Sequence, residues 1–511
     1  MRSNLEYFRL QNFRSIIDTE IIKVMPITIL VGKNSAGKST FARSFPLIRQ
    51  STETKKRAPI LWFGDRVDFG SFDESICRTN GQAKEITFTF GLNIIDDVAI
   101  KINQESRFSD QEMKADVSIA IKKVGTSSSQ ASQVNINAFG YEIKFSLDEE
   151  SSLKSINIDN DEWERNSGQL ATATYGAVLP TFTFLKSIHI KLPGGSQTTG
   201  YINYHPFEDK IEKIFNTPTL EKLKPTIQNI LKRAPLLERG ALGQYVNNNL
   251  FFEDISKSTI SRIIKRITAV EHLVFASKIN SLCDLINLGL KEYYQGVKYI
   301  EPLRATAQRY YRKQELAVDE IDSKGENLAM FLDNLSSTQL RRFNDWTRAR
   351  FGFFATTRKN GGHVEIVISE IGSNQNTNLA DIGFGFSQIL PVITQIWYST
   401  SVGMNSAKRN TIIIEQPELH LHPAFQAQLA DVFAAAFTKR TRNTRFIIET
   451  HSNHIINRIG QLISKGELSS NSVQILVFEK NSNSETNIRR AGFDNEGYLV
   501  NWPLGFFEPE M

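Results

Sequence analysis

ITILVGKNSAGKST (residues 27–40) joins the end of an apolar run, Ile21–Val31, to a glycine-rich turn and then to a helical pattern. The turn fits G-x-x-x-x-G-K-[ST], and its place between a predicted strand and a predicted helix is the context that a phosphate-binding loop requires. Glycines bring backbone N–H groups close to phosphates, a lysine adds positive charge, and a serine hydroxyl serves Mg²⁺. We therefore predict that a nucleotide binds to these residues: Gly32, Lys33, Asn34, Ser35, Ala36, Gly37, Lys38, Ser39 and Thr40.

Two further apolar runs end in polar residues. IIIEQPELHLHP (412–423) places Glu415 where a buried strand ends, which is the position of a Walker B carboxylate that holds Mg²⁺. FIIETHS (446–452) delivers His451 to a strand end in the same way. A lone histidine is usually structural, but this one follows the loop and the acid in the order that such sites have. We therefore assign Mg²⁺ to Ser39 and Glu415, and contact with the γ-phosphate to His451.

LADIGFGFSQ (379–388) is a glycine- and serine-rich turn that opens another predicted helix. Taken alone, it is equally well explained as an ordinary capped helix start. Together with the phosphate loop, the acidic strand end and His451, it resembles the signature of ABC-type ATPases in the branch that contains Rad50, SMC, RecF and OLD-like proteins. The resemblance implies that Gly383, Gly385 and Ser387 of one subunit cover the γ-phosphate on another, in a head-to-tail homodimer that binds ATP and Mg²⁺.

Seven motifs spread along the chain indicate a resemblance to a smaller group within these ATPases. They are NFRS (12–15), VDFGSFDE (67–74), EPLRATAQRYY (301–311), DIGFGFSQILPV (381–392), EQPELHLHP (415–423), ETHS (449–452) and WPLGFF (502–507). Together they resemble AAA-family ATPases with a DUF3696-type C-terminus, which include the PtuA-like ATPases of Septu-type and retron-associated anti-phage systems. This resemblance implies that Arg14 approaches the nucleotide. It also implies an HNH nuclease partner of the PtuB type, in retron versions a reverse transcriptase with its multicopy DNA/RNA, and nucleic acid contacted by the complex.

One position departs from the ABC pattern. The residue after the Walker B acid is normally a glutamate that polarises the attacking water, and here it is Gln416. An amide orients water but does not accept a proton. We therefore expect Glu415, Gln416 and His451 to support slow ATP hydrolysis and a long-lived ATP-bound dimer. Glu418 stays open as a substitute base.

Sequence patterns divide the chain into three predicted domains. Residues 86–200, including VAIKI (98–102), alternate apolar and polar positions as half-buried antiparallel strands do. Residues 208–350 have helical spacing, and the later part returns to strands alternating with helices. We predict an α/β fold of the ABC-type (Rad50/SMC/RecF-like) head class, with lobe I at 1–207, a helical insertion at 208–350, and lobe II at 351–511.

Composition excludes several classes of protein. The 511 residues are 40% hydrophobic and 23% charged, as in a foldable globular chain. The longest apolar runs fall short of the roughly 18 residues that span a bilayer, and no secretory signal is visible. We therefore expect a cytoplasmic protein without membrane contact. The net charge of +5 neither requires nor excludes nucleic acid.

Two functions remain open at this point. The first is a regulatory or scaffolding ATPase of an anti-phage complex that controls a separate HNH nuclease. The alternative is a RecF/OLD-like ATPase in DNA repair or DNA processing. About 60 residues follow His451, too few for an added nuclease domain, so we expect no nuclease activity from this chain.

Overall fold

The computed structural model describes residues 2–78, 81–95, 112–126, 128–191, 197–215, 221–250, 256–314, 318–373, 375–401, 410–436, 444–481 and 485–503. VAIKI (98–102) and the motif residues 504–507 lie outside this part of the chain. Two compact units are present. The first contains Met1–Phe13, Glu20–Lys23 and Leu47–Gln295, and the second contains Arg14–Thr19, Val24–Pro46 and Gly296–Met511. Helix α1 (Lys38–Glu53) is divided between them after Pro46.

The first unit is built on antiparallel strands. They are β1 (Arg2–Phe13), β3 (Ile22–Lys23), β5 (Glu85–Ile95), β6 (Glu112–Val124), β7 (Ser128–Ala138), β8 (Tyr141–Leu147), β9 (Leu153–Ile158), β10 (Asp161–Glu164), β11 (Gln169–Thr174), β12 (Thr181–Lys191) and β13 (Gln197–Asn203). The order is β10-β9-β8-β7-β6-β5-β1, and β11-β12-β13 form a second sheet. Alternate side chains of β5, such as Ile86, Phe88 and Phe90, are fully buried, because successive side chains of a strand point to opposite faces.

Helices make up the rest of the first unit. They are α2 (Phe72–Ser75), α3 (Glu208–Glu212), α4 (Lys224–Arg233), α5 (Leu242–Asn249), α6 (Lys257–Ala269), α7 (Glu271–Ala276) and α8 (Ile279–Tyr294), with a 3-10 turn at Lys213–Phe215. Ile227, Val246 and Ile267 belong to one buried cluster beneath them. Ser256 begins α6, since its Oγ accepts a hydrogen bond from the Thr259 N–H at 3.3 Å.

The second unit contains the parallel strands. Its strands are β2 (Ile16–Asp18), β4 (Ile27–Gly32), β14 (Val297–Ile300), β15 (Tyr311–Arg312), β16 (Phe353–Asn360), β17 (His363–Glu370), β18 (Asn376–Asn378), β19 (Asn410–Glu415), β20 (Thr444–Glu449), β21 (Val473–Lys480), β22 (Thr486–Phe493) and β23 (Leu499–Val500). The order is β2-β22-β21-β4-β20-β19-β14. Each pair of adjacent strands from β21 to β14 is parallel. The carboxyl ends of these strands therefore meet at one edge of the sheet.

Five helices accompany this sheet among the described residues. They are α9 (Leu328–Asn334), α10 (Ser337–Phe351), α11 (Phe384–Ser401), α12 (Pro423–Ala435) and α13 (Asn453–Ser464), with a 3-10 turn at Ser470–Ser472. Ile29, Ile414 and Ile448 on the central strands belong to a large buried cluster with residues of these helices. None of the helices in the described part of the chain is long and apolar enough to cross a membrane.

The predicted α/β class, with antiparallel strands after residue 86, is confirmed by this architecture. The prediction of one strand over Ile21–Val31 is wrong, because β3 and β4 are separate and pair with different strands. Pro26 lies between them and has no N–H for a ladder. The segment 208–350 contributes residues to both units, and the domain boundaries at 207 and 350 stay a prediction.

Candidate nucleotide-binding site

The phosphate-binding loop follows β4 and lies against the neighbouring strands. Gly32 has φ +145°, and a Cβ there would lie 2.1 Å from the carbonyl oxygen of Phe478 on β21. Gly37 has φ +102°, and a Cβ there would lie 3.0 Å from the Ser15 Oγ. Side chains at either position would be strained, and at Gly32 a side chain would collide with the backbone of β21. The two glycines therefore permit a backbone cradle of the kind that binds phosphate.

The rest of the loop is anchored on one side and exposed on the other. The Thr486 hydroxyl on β22 donates a hydrogen bond to the Ala36 carbonyl oxygen at 3.0 Å. Lys33, Asn34 and Ser35 are exposed, and Ser35 has a left-handed backbone with φ 61°. The structure thus leaves the predicted phosphate-binding residues at the tip of the loop accessible to a ligand.

Lys38 begins helix α1 and is 3% exposed. Its Nζ donates hydrogen bonds of 2.9 Å to the carbonyl oxygens of Gly32 and Lys33, and it lies 3.9 Å from the Glu449 Oε1. Burial lowers the pKa of Lys38, whereas the carboxylates of Glu449 and Glu415 oppose that shift. The ammonium group is therefore held within the loop, close to negative charge.

Glu449 was not among the residues predicted for the site, although it begins the ETHS motif. The Ser39 hydroxyl donates a 2.7 Å hydrogen bond to the Glu449 Oε2. Burial, with the neighbouring Glu415 carboxylate as a second cause, raises the pKa of Glu449 to about 7, against the effects of Ser39, Lys38 and Arg43. Its position at the end of an apolar strand, like that of Glu415, was the signal that could have identified it.

Glu415 ends β19 and is 1% exposed. The Arg43 Nε and Nη2 donate to its Oε1 and Oε2, both at 2.8 Å, and the Tyr299 hydroxyl donates to Oε1 at 2.8 Å. The hydrogen bond to Glu415 is the main cause that raises the pKa of Arg43. Neither Arg43 nor Tyr299 was predicted. The metal-binding role assigned to Glu415 stays a prediction, and the structure pairs this carboxylate with a guanidinium.

Gln416 follows at a sharp backbone turn, with φ 46°. Its N–H donates to the Glu449 carbonyl oxygen at 2.7 Å. Arg304, which is buried, donates from Nη2 to the carbonyl oxygens of Glu415 at 2.9 Å and Gln416 at 3.3 Å. Burial lowers the pKa of Arg304 to about 10. The peptide of the residue predicted to position water is thus fixed from both sides.

His451 lies just before α13. Its backbone N–H donates to the Glu418 Oε1 at 2.6 Å, and Ser452 caps the helix by accepting from the Ile455 N–H at 3.1 Å. Partial burial and the positive charge of Lys38 lower the pKa of His451. The residue is exposed overall, next to the end of β20.

The signature turn packs against the loop that follows β19. Gly383 has φ +113°, and a Cβ on Gly385 would lie 3.0 Å from the His420 carbonyl oxygen. The Ser387 hydroxyl is buried and donates to the Phe384 carbonyl oxygen at 2.7 Å. The Phe384 ring, 45% exposed, lies edge-on to the His420 ring at 4.8 Å. The turn thus presents an aromatic ring to its exterior.

Arg14 and Thr40 complete the predicted set. Arg14 is exposed and has φ 53°. The next residue, Ser15, is the one that approaches Gly37, so Arg14 lies beside the loop. Thr40 is half-buried on α1. Contact of Arg14 with a nucleotide stays a prediction.

The chain matches the AAA ATPase domain family over residues 4–456. The protein therefore belongs to this family of ATPases. No curated protein matches the chain. Among solved structures, it is similar to the Smc head domain bound to the C-terminal domain of ScpA from Pyrococcus furiosus, with a TM-score of 0.35 and 11% identity over 96% of each chain. It is also similar to the SMC head domain from Thermotoga maritima, with a TM-score of 0.31 and 10% identity over 96% of this chain and 98% of that one.

Proposed function

We propose that the protein is an ABC-type ATPase that binds ATP with Mg²⁺ at the loop of residues 32–40 and hydrolyses it slowly. One observation carries this proposal: a buried lysine, a serine hydroxyl and two buried carboxylates meet where the parallel strands end. The residues fit the ligand, because the loop lacks side chains at Gly32 and Gly37 and exposes Lys33, Asn34 and Ser35. Lys38 would neutralise phosphate charge, and Ser39 would bind Mg²⁺. Bound Mg²⁺ lowers the charge repulsion between the reacting groups during phosphoryl transfer.

Slow hydrolysis is proposed from the residue that follows Glu415. The Gln416 amide has no basic atom that takes a proton from water at neutral pH, so it is limited to orientation. Its peptide is fixed by Glu449 and Arg304, which favours a water-orienting role. We propose that Glu415 acts by holding Arg43 and helix α1 next to the site and that His451 contacts the γ-phosphate.

A head-to-tail homodimer is proposed for the ATP-bound state. The turn that contains the signature residues Gly383, Gly385 and Ser387 would cover the nucleotide of the second subunit, as the ABC resemblance implies. The Ser387 hydroxyl, which donates to the Phe384 carbonyl oxygen in the single chain, would have to leave that hydrogen bond to contact the nucleotide. The exposed ring of Phe384 at the start of α11 supports an interface at this turn, because exposed aromatic side chains are common at the centres of interfaces. Bound ATP would then regulate whether the dimer forms.

The biological setting is proposed from the seven motifs that resemble PtuA-like ATPases. We propose that the dimer is the regulatory and scaffolding subunit of an anti-phage complex, with a PtuB-like HNH nuclease as effector. In a retron version it would also hold a reverse transcriptase and its multicopy DNA/RNA. A RecF/OLD-like role in DNA repair is the second candidate, because the loop, acid and histidine motifs fit both.

Native mass spectrometry of the protein co-expressed with its genomic neighbours tests the proposal, with ATP·Mg²⁺ present and then removed. The defence function predicts a complex with a small HNH protein that depends on ATP. An ATP-dependent homodimer without any neighbour would favour the repair function. A nuclease assay on the purified chain is the accompanying control. Cleavage of DNA by the chain alone would contradict both functions.

A further inference from the structure

The two carboxylates at the ends of β19 and β20 lie side by side, since Glu415 is the register partner of Glu449. Only one of them is hydrogen-bonded to the serine that is predicted to hold the metal. We propose that Glu449, together with Ser39, holds the Mg²⁺ that accompanies ATP, and that Glu415 instead anchors Arg43. This inference rests on the proposed function and assigns the metal to a residue that the motif pattern does not mark.

Glu415 is already occupied on both oxygens. Arg43 bonds both of them in a bidentate pair, and Tyr299 adds a third hydrogen bond, all at 2.8 Å. A bidentate guanidinium–carboxylate pair is among the strongest polar contacts in proteins. Direct coordination of a metal by Glu415 would replace at least one of these bonds and leave a donor without its partner. Glu415 is buried, so loss of one of its donors would cost free energy, although less than in a fully buried pair because Arg43 is 39% exposed.

Glu449 accepts a hydrogen bond from the Ser39 hydroxyl, a group that can also bind a metal through its oxygen. A serine hydroxyl has one hydrogen to donate and two lone pairs that accept. When a cation binds, the Ser39 oxygen can turn its lone pairs to the metal while the Glu449 carboxylate also faces it. Lys38 lies 3.9 Å from Glu449, beyond a normal hydrogen bond, and it already donates to two carbonyl oxygens. Hard oxygen ligands of this kind are those that Mg²⁺ prefers.

The charges favour the same assignment. Arg43 compensates Glu415 directly, whereas Glu449 has a neutral hydroxyl at 2.7 Å and a cation only at 3.9 Å. ATP brings further negative charge to the loop, and Lys38 would be attracted to it. A divalent cation between Glu449 and the phosphates would compensate this charge. The Arg43–Glu415 pair would then hold helix α1, which begins with Lys38 and Ser39, next to β19.

Metal binding, measured without turnover, tests the inference. Mn²⁺ serves as the probe in an electron paramagnetic resonance titration of the protein saturated with a non-hydrolysable ATP analogue. We expect Glu449→Gln to weaken Mn²⁺ binding by on the order of tenfold or more, since even residues behind the metal ligands contribute 10–100-fold. Glu449→Asp should recover part of this affinity. The matched variant Glu415→Gln should lose less Mn²⁺ affinity than Glu449→Gln does, because Glu415 lies beside the metal ligand and acts on the site only through Arg43.

The outcomes separate the metal assignment from nucleotide binding. Fluorescent mant-ATP, titrated in EDTA, should bind to wild type and to Glu449→Gln alike. Wild type that binds no mant-ATP under any condition would overturn the proposed function itself. Normal Mn²⁺ affinity in Glu449→Gln, or a larger loss in Glu415→Gln, would overturn only the metal assignment. Ser39→Ala supplies an independent variant, and it should lose Mn²⁺ affinity as Glu449→Gln does.

Discussion

Lys38 in the second unit is buried and Lys278 in the first is half-buried, and their surroundings differ. Each donates to main-chain carbonyl oxygens, Lys38 to Gly32 and Lys33 and Lys278 to Ala234. Burial lowers the pKa of both, that of Lys278 to about 8. For Lys38, nearby carboxylates oppose the shift. One lysine belongs to a charged cluster, and the other supports backbone packing.

The difference follows from strand direction. Parallel strands end at the same edge of a sheet, so β4, β20 and β19 deliver the loop, Glu449 and Glu415 to one place. Neighbouring antiparallel strands end at opposite edges, so the polar residues at their ends do not collect. Burial and carbonyl partners are thus common to both regions, and the carboxylates distinguish the binding site.

The largest expected effect is on nucleotide affinity. Lys38→Ala should weaken mant-ATP binding by on the order of 100-fold, because a buried charged partner of the phosphates is lost. Lys278→Met is the matched control, and its affinity should equal that of wild type. Fluorescence titration measures both. Equal losses in the two variants would show that the distinction between the lysines is wrong.

The next effect is on stability. Arg43→Ala leaves the buried Glu415 carboxylate without its cation and should lower the free energy of unfolding by about 2 kcal/mol, a figure reduced because Arg43 is more than a third exposed. Arg489→Ala, which breaks the exposed pair with Glu479, should change it by less than about 1 kcal/mol. Chemical denaturation of the nucleotide-free protein compares them. Equal effects would argue that Glu415 does not depend on Arg43.

A smaller effect is expected on the rate of hydrolysis. Gln416→Glu restores a residue able to accept a proton, and should raise the single-turnover rate by about tenfold, below the usual range for a positioned general base. Glu418→Gln in the same background should leave that gain intact. An unchanged rate in Gln416→Glu would contradict the view that the amide limits turnover.

The smallest effect is a pH dependence in the first unit. The pKa of Lys278 is about 8 in the folded protein, and the ordinary lysine pKa of 10.5 applies to the unfolded chain. The unfolded chain therefore binds more protons between these values, and stability rises with pH across that window. Below pH 8 both states are protonated and the contribution is constant. From pH 8 to 9, wild type should gain about 1 kcal/mol relative to Lys278→Met. If the free energy of unfolding of the two proteins changed equally with pH, the lowered pKa of Lys278 would be refuted.

The sequence allowed the strand–loop–helix of residues 27–40 and the strands that end at Glu415 and Glu449 to be predicted, because each is a local pattern. Apolar runs bounded by glycine or polar residues suffice for that. Pro26, which separates β3 from β4, was also visible in the sequence. The apolar run around it led to the prediction of one continuous strand.

The partners within the site could not be predicted from such patterns. In the folded chain, Arg43 contacts Glu415, whereas Ser39 contacts Glu449. These pairings depend on the position of β20 between β4 and β19 and on the face of α1 that is turned to these strands. Tyr299 reaches Glu415 from β14, more than a hundred residues away in the chain. These contacts are set by the order of strands in the sheet, which no local motif encodes.

Native mass spectrometry of the full chain alone, taken within one turnover after addition of ATP·Mg²⁺, tests the central claim most directly. A slowly hydrolysing ATPase that dimerises on its nucleotide predicts a dimer that carries two intact ATP molecules, and a monomer for Lys38→Ala. A wild-type monomer that holds only ADP, or no nucleotide, would contradict the account.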